Sequence, residues 1–331
     1  MRIIRGQNLD PYFNLASEEY LLETADDDVF MVWRNAASVI IGKNQNAYAE
    51  VNTEYTEQNG IPVVRRLTGG GAVFHDEGNV NFTFVTSSDD DSEIDFARFT
   101  APIIDCLGEL GIDAHLGGRN DILAEGCKIS GNAQCVYRRK DGRKMLMHHG
   151  TLLYDADVSR LANSLRVNEE KLRSKGIKSV SSRVNNIKTI GGLSMTAEEF
   201  MEYILRSAEK RFGTAATEFS AEDTAKIATL AEEKYSSWEW DFGKSPEYGN
   251  SKTKRFPFGT LTADFTVTGG NITAISFTGD FFGTADASGL ASSLTGVRFT
   301  SDAVLTALTG VPVGQMIAGA TAADVAELLF G

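Results

Sequence analysis

The spacing of apolar residues predicts alternating helices and strands along the first third of the chain. Asp10-Pro11 favours a helix start, because aspartate accepts hydrogen bonds from the free N–H groups and proline already has the helical φ. Apolar residues then recur at helical spacing from Phe13 to Leu21, which predicts that Glu18 and Glu19 lie at the surface. Shorter apolar runs predict two strands, a short helix and two further strands, in that order, at residues 29–33, 38–41, 53–58, 62–67 and 80–84.

Two of these strands carry residues whose burial the pattern predicts. Asn81 and Thr83 alternate with apolar neighbours in the last strand, a pattern that predicts one buried and one exposed face. Trp33 ends the first strand, where an aromatic side chain either belongs to the core or forms the wall of an apolar ligand pocket. The pattern alone narrowly favours the core.

The middle of the chain contains further helix and hairpin signals. An amphipathic helix is predicted from Phe96 until Gly111, and a hairpin turning at Asp141-Gly142 is predicted between residues 133–138 and 144–148. Thr196 and Glu199 form a capping box that opens another helix, and a further helix is predicted at residues 221–235.

A change of composition marks a second domain. Residues 236–254 have few periodic apolar positions and are predicted to connect two domains. Beyond them Gly, Thr and Ala become more frequent, and a small α+β module is predicted from two strands and three helices, at residues 259–267, 272–278, 285–294, 301–308 and 322–329. The predicted domains are therefore residues 1–245 and 246–331.

Composition limits the class of protein. The 331 residues are 42% hydrophobic and 23% charged, which is ordinary for a globular protein of two domains. A net charge of −13 argues against nucleic acid as a partner. Long apolar runs and a leader-like start are lacking, which predicts a soluble, cytoplasmic protein without a membrane partner. Three cysteines without a CxxC pair are typical of reduced thiols and make structural zinc unlikely.

The densest cluster of polar and glycine residues lies at residues 65–79. Gly69, Gly70 and Gly71 follow an arginine pair and precede His75 and Asn79. Three consecutive glycines weaken a strand but expose N–H groups that often bind an anion. On these residues alone, an anion site and a glycine-rich hairpin with solvated arginines are equally supported. The spacing fits neither a P-loop nor a dinucleotide-binding fingerprint.

A second polar cluster surrounds Lys128. Asn120 and Asp121 precede it, and small or apolar residues flank it, a setting that suits a cation held near a ligand better than a solvated lysine. His148 and His149 point to opposite faces if their strand continues, so one is predicted in the core and one exposed, without a role for either. The acidic run at residues 87–92 is predicted to be a solvated loop rather than a cation site.

Five segments in order resemble the lipoate–protein ligase family. The first contains Asn14-Leu15-Ala16 with Glu18-Glu19, and the second is the glycine cluster with its flanking Arg65-Arg66 and His75-Asp76. The other three are the segments at residues 119–133, 148–153 and 176–184. A single glycine-rich match would be weak evidence, but five in the same order are strong, and the length suits the two-domain form of the family.

The resemblance implies a fold, a reaction and a set of partners. The fold implied is an α+β mixed-sheet catalytic domain like those of biotin ligases and class II aminoacyl-tRNA synthetases, followed by a small α+β domain. The reaction implied is activation of lipoate by Mg²⁺-bound ATP to lipoyl-AMP, followed by transfer to a lysine. The acceptors implied are lipoyl domains of 2-oxoacid dehydrogenases and the glycine-cleavage H protein.

The resemblance also implies roles for residues of this chain. Lys128 is the implied catalytic residue, in contact with the carboxylate and the α-phosphate, and Asp121 is an implied ligand of Mg²⁺. The implied substrate- and ATP-binding residues are Trp33, Arg66, Thr68, Gly69, Gly70, Gly71, Ala72, Val73, Phe74, His75, Asn79, Asn120, Asp121, His149 and Thr151.

Three alternatives stay open at this point. A related acyltransferase would work without ATP through a cysteine thioester, and Cys127 and Cys135 lie close enough in sequence to Lys128 to allow this. A biotin ligase shares the implied fold, but its Gly-Arg-Gly-Arg type of loop is lacking in the sequence. A non-catalytic protein that binds lipoate or a nucleotide is the third, and conversion of ATP to AMP would distinguish it.

Overall fold

The computed structural model describes residues 1–88, 95–118, 120–165, 184–243 and 250–330. Most of the predicted acidic loop, Arg119, nearly all of the segment at residues 176–184 and the predicted domain boundary after residue 245 therefore lie outside the described residues. Among the described ranges, no helix has the length and apolarity needed to span a lipid bilayer.

The chain alternates between strands and helices. The strands are β1 (Arg2–Arg5), β2 (Val29–Arg34), β3 (Ser38–Ile41), β4 (Val63–Arg65), β5 (Val73–His75), β6 (Asn79–Ser87), β7 (Ala114–Gly117), β8 (Asp121–Ala124), β9 (Cys127–Arg138), β10 (Lys144–Leu153), β11 (Ala216–Thr217), β12 (Asn250–Phe256), β13 (Gly259–Thr268) and β14 (Asn271–Gly279). The α-helices are α1 (Pro11–Thr24), α2 (Ala47–Glu50), α3 (Thr53–Gln58), α4 (Phe96–Glu109), α5 (Val158–Ser164), α6 (Ile187–Ile190), α7 (Ala197–Phe212), α8 (Ala221–Leu230), α9 (Trp238–Asp241), α10 (Ser288–Leu294), α11 (Ser301–Ala307), α12 (Val313–Met316) and α13 (Ala322–Phe330).

A large mixed sheet forms the centre of the first domain. Its order is β11-β1-β2-β6-β10-β9-β8-β7, with β1 parallel to β11 and β2 and the remaining pairs antiparallel. Helices α4 and α7 cover one face through an apolar cluster that includes Phe99 and Phe200. Helix α1 and the end of α8 cover the other face around Trp33 and Tyr235. The mixed-sheet α+β class is therefore confirmed.

Local hydrogen-bond chemistry sets the helix starts as predicted. Asp10 accepts a hydrogen bond from the Tyr12 N–H and Pro11 begins α1. Thr196 and Glu199 exchange the two bonds of a capping box at the start of α7. The helix predicted at residues 221–235 is α-helical only until Leu230 and then widens into one π turn. The predicted strand 62–67 is shorter, because only Val63–Arg65 pairs with a neighbour.

Two predictions about exposure are wrong. Glu18 and Glu19 are 1% and 9% exposed rather than at the surface, because α1 packs between the sheet and α8 on more than one side. Asn81 and Thr83 are as buried as their apolar neighbours in β6. The strand is therefore buried on both faces, and its polar face lies against α1 and the site described below.

A small sheet beside the large one carries the glycine cluster. Its order is β4-β3-β5, and residues 66–72 join β4 to β5. Arg65 is fully buried and donates to the carbonyl oxygens of Gly42, Lys43 and Gln45, while its backbone N–H donates to Asp241. The possibility of a solvated arginine pair is therefore wrong.

The C-terminal domain has its own sheet and core. Strands β12, β13 and β14 form an antiparallel sheet, which α10 and α13 cover to enclose an apolar cluster that includes Leu261, Leu290 and Val325. The strands and helices predicted here are confirmed within a few residues. Strand β12 was missed, because only its last residue, Phe256, is buried and the rest reads as a polar connection.

Candidate active site

A cavity of about 130 Å³ lies between the large sheet, the N-terminal part of α1 and the loop that joins β4 to β5. Register brings its sheet residues together, since Trp33, Asn81 and Thr151 are paired in one row across β2, β6 and β10. The predicted residues that line the cavity are Trp33, Arg66, Gly70, Gly71, Ala72, Val73, His75, Asn120, Lys128, His149 and Thr151. Predicted residues that are as far apart in sequence as Trp33 and Thr151 therefore surround one cavity.

Five predicted residues do not line the cavity. Thr68 is buried beneath His149, Asn79 donates to Asn81, and Asp121 pairs with Lys128. Gly69 contacts the C-terminal domain. Phe74 lies in a separate apolar cluster with Val39 and Ile41, on the far side of the small sheet.

Lys128 is positioned by the edge of the large sheet. The register of β8 and β9 shifts between Ile122 and Leu123, so that β9 bulges next to Lys128. Bulges often re-aim a side chain beside an active site. The Lys128 Nζ lies 2.8 Å from Oδ1 of Asp121, and a Cβ at Gly131 would come within 2.9 Å of this ammonium. The glycine thus leaves room for a cation against the cavity wall.

Arg66 holds the glycine loop from behind. Its Nη2 donates to the carbonyl oxygens of Gly69 and Gly71 at 2.6 and 2.9 Å, and its Nε donates to Thr68 Oγ1. Burial lowers the pKa of Arg66 to about 10, and the negative charge of Glu18 opposes this effect. Gly70 itself has φ +91°, a conformation that glycine adopts without strain.

His75 supplies a polar group to the wall. Its Nδ1 lies 3.0 Å from Asn35 Nδ2, and its Nε2 has no hydrogen-bond partner among the described residues. Burial first, and then the charges of Arg66 and His149, lower its pKa to about 3. A neutral His75 and the Nδ2 of Asn81, which is likewise without a partner in the described part of the chain, leave donors for a bound oxygen.

Of the two adjacent histidines, one was predicted in the core and one exposed, and only the core prediction is confirmed. His148 is in the core, stacked between Phe82 and Phe99, and burial holds its pKa well below the ordinary value. His149 is not exposed; it lines the cavity, with Nε2 2.8 Å from Thr68 Oγ1 and Nδ1 2.8 Å from Glu18 Oε1.

The positions of Cys127 and Cys135 argue against an acyltransferase that works through a cysteine thioester. Neither Cys127 nor Cys135 lines the cavity. Burial raises the pKa of Cys135 to about 12, although the charge of Lys43 opposes it. A thiol that stays protonated is a poor nucleophile.

The C-terminal domain covers the glycine loop. The Gly70 N–H donates to the Phe281 carbonyl oxygen at 3.2 Å, and Phe282 packs with Phe96 and Ala133 beside the cavity. Lys43 and Asp286 form an ion pair of 3.0 Å across the same boundary. The loop is therefore enclosed by both domains.

Several cavity residues were not predicted. Leu15 and Ile40 extend the apolar wall, Gly131 and Gly150 lie on the neighbouring strands, and Asn81, Asn132 and Ala133 add to the same surface. Asn81 alternates with apolar residues in the sequence, and this pattern predicts an exposed side chain rather than a cavity residue. All the others except Ile40 fall inside the quoted motifs, but only the structure shows that they face the cavity.

The cavity thus combines an apolar wall, which includes Trp33 and Ile40, with the cations of Arg66 and Lys128. The sequence patterns of two families match: Lipoyl protein ligase A/B catalytic domain over residues 10–209, and Bacterial lipoate protein ligase C-terminus over residues 245–329. The chain is 40% identical over 336 residues to Lipoate-protein ligase LplJ of Bacillus subtilis, which covers 100% of both chains.

Two solved structures are similar in fold. The crystal structure of P. falciparum LipL1 in complex with lipoate has a TM-score of 0.75 and 24% identity, and the match covers 94% of each chain. The crystal structure of lipoate-protein ligase A bound with ATP has a TM-score of 0.61 and 28% identity, over 73% of this chain and 98% of that one. The present chain belongs to the lipoate–protein ligase family, and it is an enzyme of the ligase class.

Proposed function

We propose that the chain activates lipoate with ATP and transfers the lipoyl group to a lysine of an acceptor protein. In the first step a lipoate carboxylate oxygen attacks the α-phosphorus of ATP, the bond to the bridging oxygen breaks, and pyrophosphate leaves. In the second step an acceptor amine attacks the acyl carbon, AMP leaves, and the new amide loses a proton. The ATP-bound relative supports the nucleotide.

The Lys128 ammonium carries this proposal. It lines the same cavity as the glycine loop and Arg66, so that two cations border the space in which an anionic group would bind. Both substrates are anions, and preorganised positive charge stabilises the transition state in which they meet. We assign Lys128 to the reacting carboxylate and α-phosphate, and the Gly69 to Gly71 backbone to the adenylate.

The apolar wall suits the carbon chain of lipoate. Trp33 and Val73 belong to this wall with Leu15 and Ile40, while Arg66 and the donors of His75 and Asn81 lie in the same cavity. An acid with an apolar tail fits a site that is apolar on one side and cationic on the other. We assign the remaining lining residues Ala72, Asn120, His149 and Thr151 to substrate or ATP contacts.

We propose that Mg²⁺ accompanies the ATP at Asp121. Its side chain is 36% exposed and lies beside Lys128. No group of three His, Cys, Asp or Glu side chains able to hold a metal is found in the described residues. One carboxylate with phosphate oxygens and water is a usual environment for Mg²⁺ in nucleotide enzymes. When bound, the ion would neutralise phosphate charge.

The proposed acceptors are lipoyl domains of 2-oxoacid dehydrogenases or the glycine-cleavage H protein, in the cytoplasm where ATP is available. We also propose that residues 1–245 form the catalytic domain and residues 246–331 an accessory domain. Separate apolar clusters in the two parts and the two matched families support this division.

The test is the intact mass of a purified lipoyl domain after incubation with the enzyme, lipoate and MgATP. A lipoyl mass gain that depends on ATP is expected. A gain that instead requires an acylated carrier and no ATP would support the cysteine transferase, and no gain together with no lipoyl-AMP would contradict the proposal.

Lys128→Ala tests the catalytic assignment. We expect the rate of lipoyl-AMP formation, measured by ATP–pyrophosphate exchange, to fall by about 10²- to 10³-fold. The matched control is Lys188→Ala, since Lys188 is equally exposed at 33% and pairs with Asp155 at 2.6 Å outside the cavity. Each change removes one partly exposed ion pair, which contributes about 0–1 kcal/mol to stability. Equal exchange rates in the two variants would reject the role of Lys128.

A further inference from the structure

Glu18 is the least explained polar residue near the cavity. It belongs to the segment Asn14-Leu15-Ala16 with Glu18-Glu19, in which the proposed reaction assigns a place only to Leu15. Its side chain is 2% exposed, which is exceptional for a carboxylate unless the group is paired or hydrogen-bonded. The partners of this carboxylate therefore indicate its role.

The carboxylate of Glu18 accepts from two sides. Thr83 Oγ1 donates to Oε1 at 2.7 Å, and Thr83 in turn accepts from Trp33 Nε1 at 2.9 Å. His149 Nδ1 lies 2.8 and 3.1 Å from the two carboxylate oxygens. An ionised carboxylate can only accept, so the proton between these groups belongs to Nδ1 of His149.

The other nitrogen of His149 then has an acceptor role. Thr68 Oγ1 lies 2.8 Å from Nε2 and receives the Arg66 Nε–H at 2.9 Å. If Nε2 carries no proton, the Thr68 hydroxyl donates to it and keeps a lone pair for Arg66. Arg66 in turn holds the carbonyl oxygens of Gly69 and Gly71. One continuous chain of hydrogen bonds thus joins Glu18 to the glycine loop.

Neighbouring histidines hold the opposite tautomer. Asn14 Nδ2 donates to the carbonyl oxygen of Arg34 and to Asn35 Oδ1, which turns the Asn35 amide so that its Nδ2 donates to His75 Nδ1. The proton of His75 is therefore on Nε2. By the same reasoning the Gln134 amide, which donates to the Asp95 carbonyl oxygen, also donates to Nδ1 of His148.

We propose that Glu18 is a positioning residue that fixes His149 as the Nδ1–H tautomer and, through Thr68 and Arg66, holds the glycine loop in shape for the acyl-adenylate. The final clause rests on the proposed function; the tautomer does not. In the opposite tautomer Thr68 Oγ1 would accept from both His149 Nε2–H and Arg66 Nε–H, so the Thr68 proton would lose its acceptor in this chain of hydrogen bonds, and Glu18 would face a bare nitrogen. Glu18 is also the carboxylate whose charge favours the protonated form of the buried Arg66.

The first measurement is the long-range ¹H–¹⁵N spectrum of the full-length enzyme labelled in its four histidines. This spectrum distinguishes Nδ1–H from Nε2–H rings directly. We expect Nδ1–H for His149 and Nε2–H for His75 and His148, with assignment by single replacement of each ring with asparagine. A wild-type His149 in the Nε2–H form would overturn the proposal without any assay of activity.

Variants then test whether Glu18 is the cause. Glu18→Leu removes the acceptor, and we expect His149 to change to Nε2–H and the lipoyl-AMP formation rate to fall by about 100-fold. Glu18→Gln keeps an oxygen toward Nδ1, and we expect it to restore the Nδ1–H signal and most of the rate. The control is Glu19→Leu, since Glu19 is buried on the same helix but binds Lys234 and Tyr235.

Each outcome of the variant series decides between positioning and a merely structural role. Loss of rate in Glu18→Leu with an unchanged His149 tautomer, or an equal tautomer change in Glu19→Leu, would reject positioning. If Glu18→Leu does not fold, the wild-type and Glu18→Gln spectra still decide the assignment. An Nδ1–H signal that responds to Glu18 in a protein without adenylation activity would support the positioning role and reject the proposed function instead.

Discussion

Replacing Gly69, Gly70 or Gly71 by alanine places the same new methyl group against three different surroundings. A Cβ at Gly69 would lie 2.3 Å from the Phe281 carbonyl oxygen in the C-terminal domain. At Gly70, where φ is +91°, a Cβ would lie 3.0 Å from Arg66 Nη2. At Gly71 the nearest atom is the Cβ of Asp280 at 3.9 Å, which is ordinary contact. We therefore expect three unequal effects from one chemical change.

The expected magnitudes follow from these contacts. Gly69→Ala must displace a backbone carbonyl and break the Gly70–Phe281 hydrogen bond, with a loss of about 2–3 kcal/mol from overpacking and the lost bond. Gly70→Ala adds about 1–2 kcal/mol of backbone strain to the disturbance of Arg66. Gly71→Ala should change the free energy of unfolding by less than about 0.5 kcal/mol.

The assay combines urea unfolding with the rate of lipoyl-AMP formation. Gly60→Ala is the control for backbone strain, because Gly60 has φ +60° and a Cβ there would meet no atom within 4 Å. The difference between Gly70→Ala and Gly60→Ala then reports the contacts of the new Cβ with Arg66 Nη2 and with the Phe282 ring, 3.0 and 3.1 Å away. A Gly71→Ala variant as unstable towards urea as Gly69→Ala would refute this account of the loop.

Two further predictions concern groups whose pKa values are displaced by burial. The pKa of His75 is about 3, below the ordinary 6.5, so its stabilising contribution is present above pH 6.5 and is lost as pH falls towards 3. The free energy of unfolding of the wild type relative to His75→Gln should fall by about 1.2 kcal/mol between pH 6 and pH 5 in urea titrations, and a constant difference would contradict this. The Cys135 thiol, with a pKa of about 12, should be dispensable, so Cys135→Ala should keep ATP-dependent lipoylation within about twofold, and a loss above tenfold would favour a thioester route.

The parts of the fold that depend on near neighbours were predictable from the sequence. The Asp10-Pro11 start of α1 and the Thr196 capping box each involve groups within four residues. The bounds of α3 agree with the predicted 53–58, since Asn52 caps its start. Patterns of this kind carry their own explanation, because both hydrogen-bonding partners are visible in the same short segment.

The polar interior of the site was not predictable in the same way. Glu18 and Thr83 are 65 positions apart, and each alone reads as an exposed residue of an amphipathic element. Burial of either costs free energy unless the partner is present, and the sequence does not state that β6 lies under α1. The family resemblance includes the segment around Glu18 but implies no role for that residue. Its hydrogen-bond partners, Thr83 and His149, became visible only in the structure.

The glycine loop shows why a motif can be found before its physical reason is known. Three glycines in sequence predict either backbone donors for an anion or a glycine-rich hairpin, and both interpretations treat the three residues alike. In the structure Gly70 must be glycine because its φ is positive, and Gly69 because a Cβ there would collide with the Phe281 carbonyl oxygen. Neither reason applies to Gly71. Because the Gly70 N–H donates to Phe281, a ligand that needs this donor must compete with the C-terminal domain for it. A substrate that accepts from the Gly70 N–H would therefore have to replace a contact that encloses the loop.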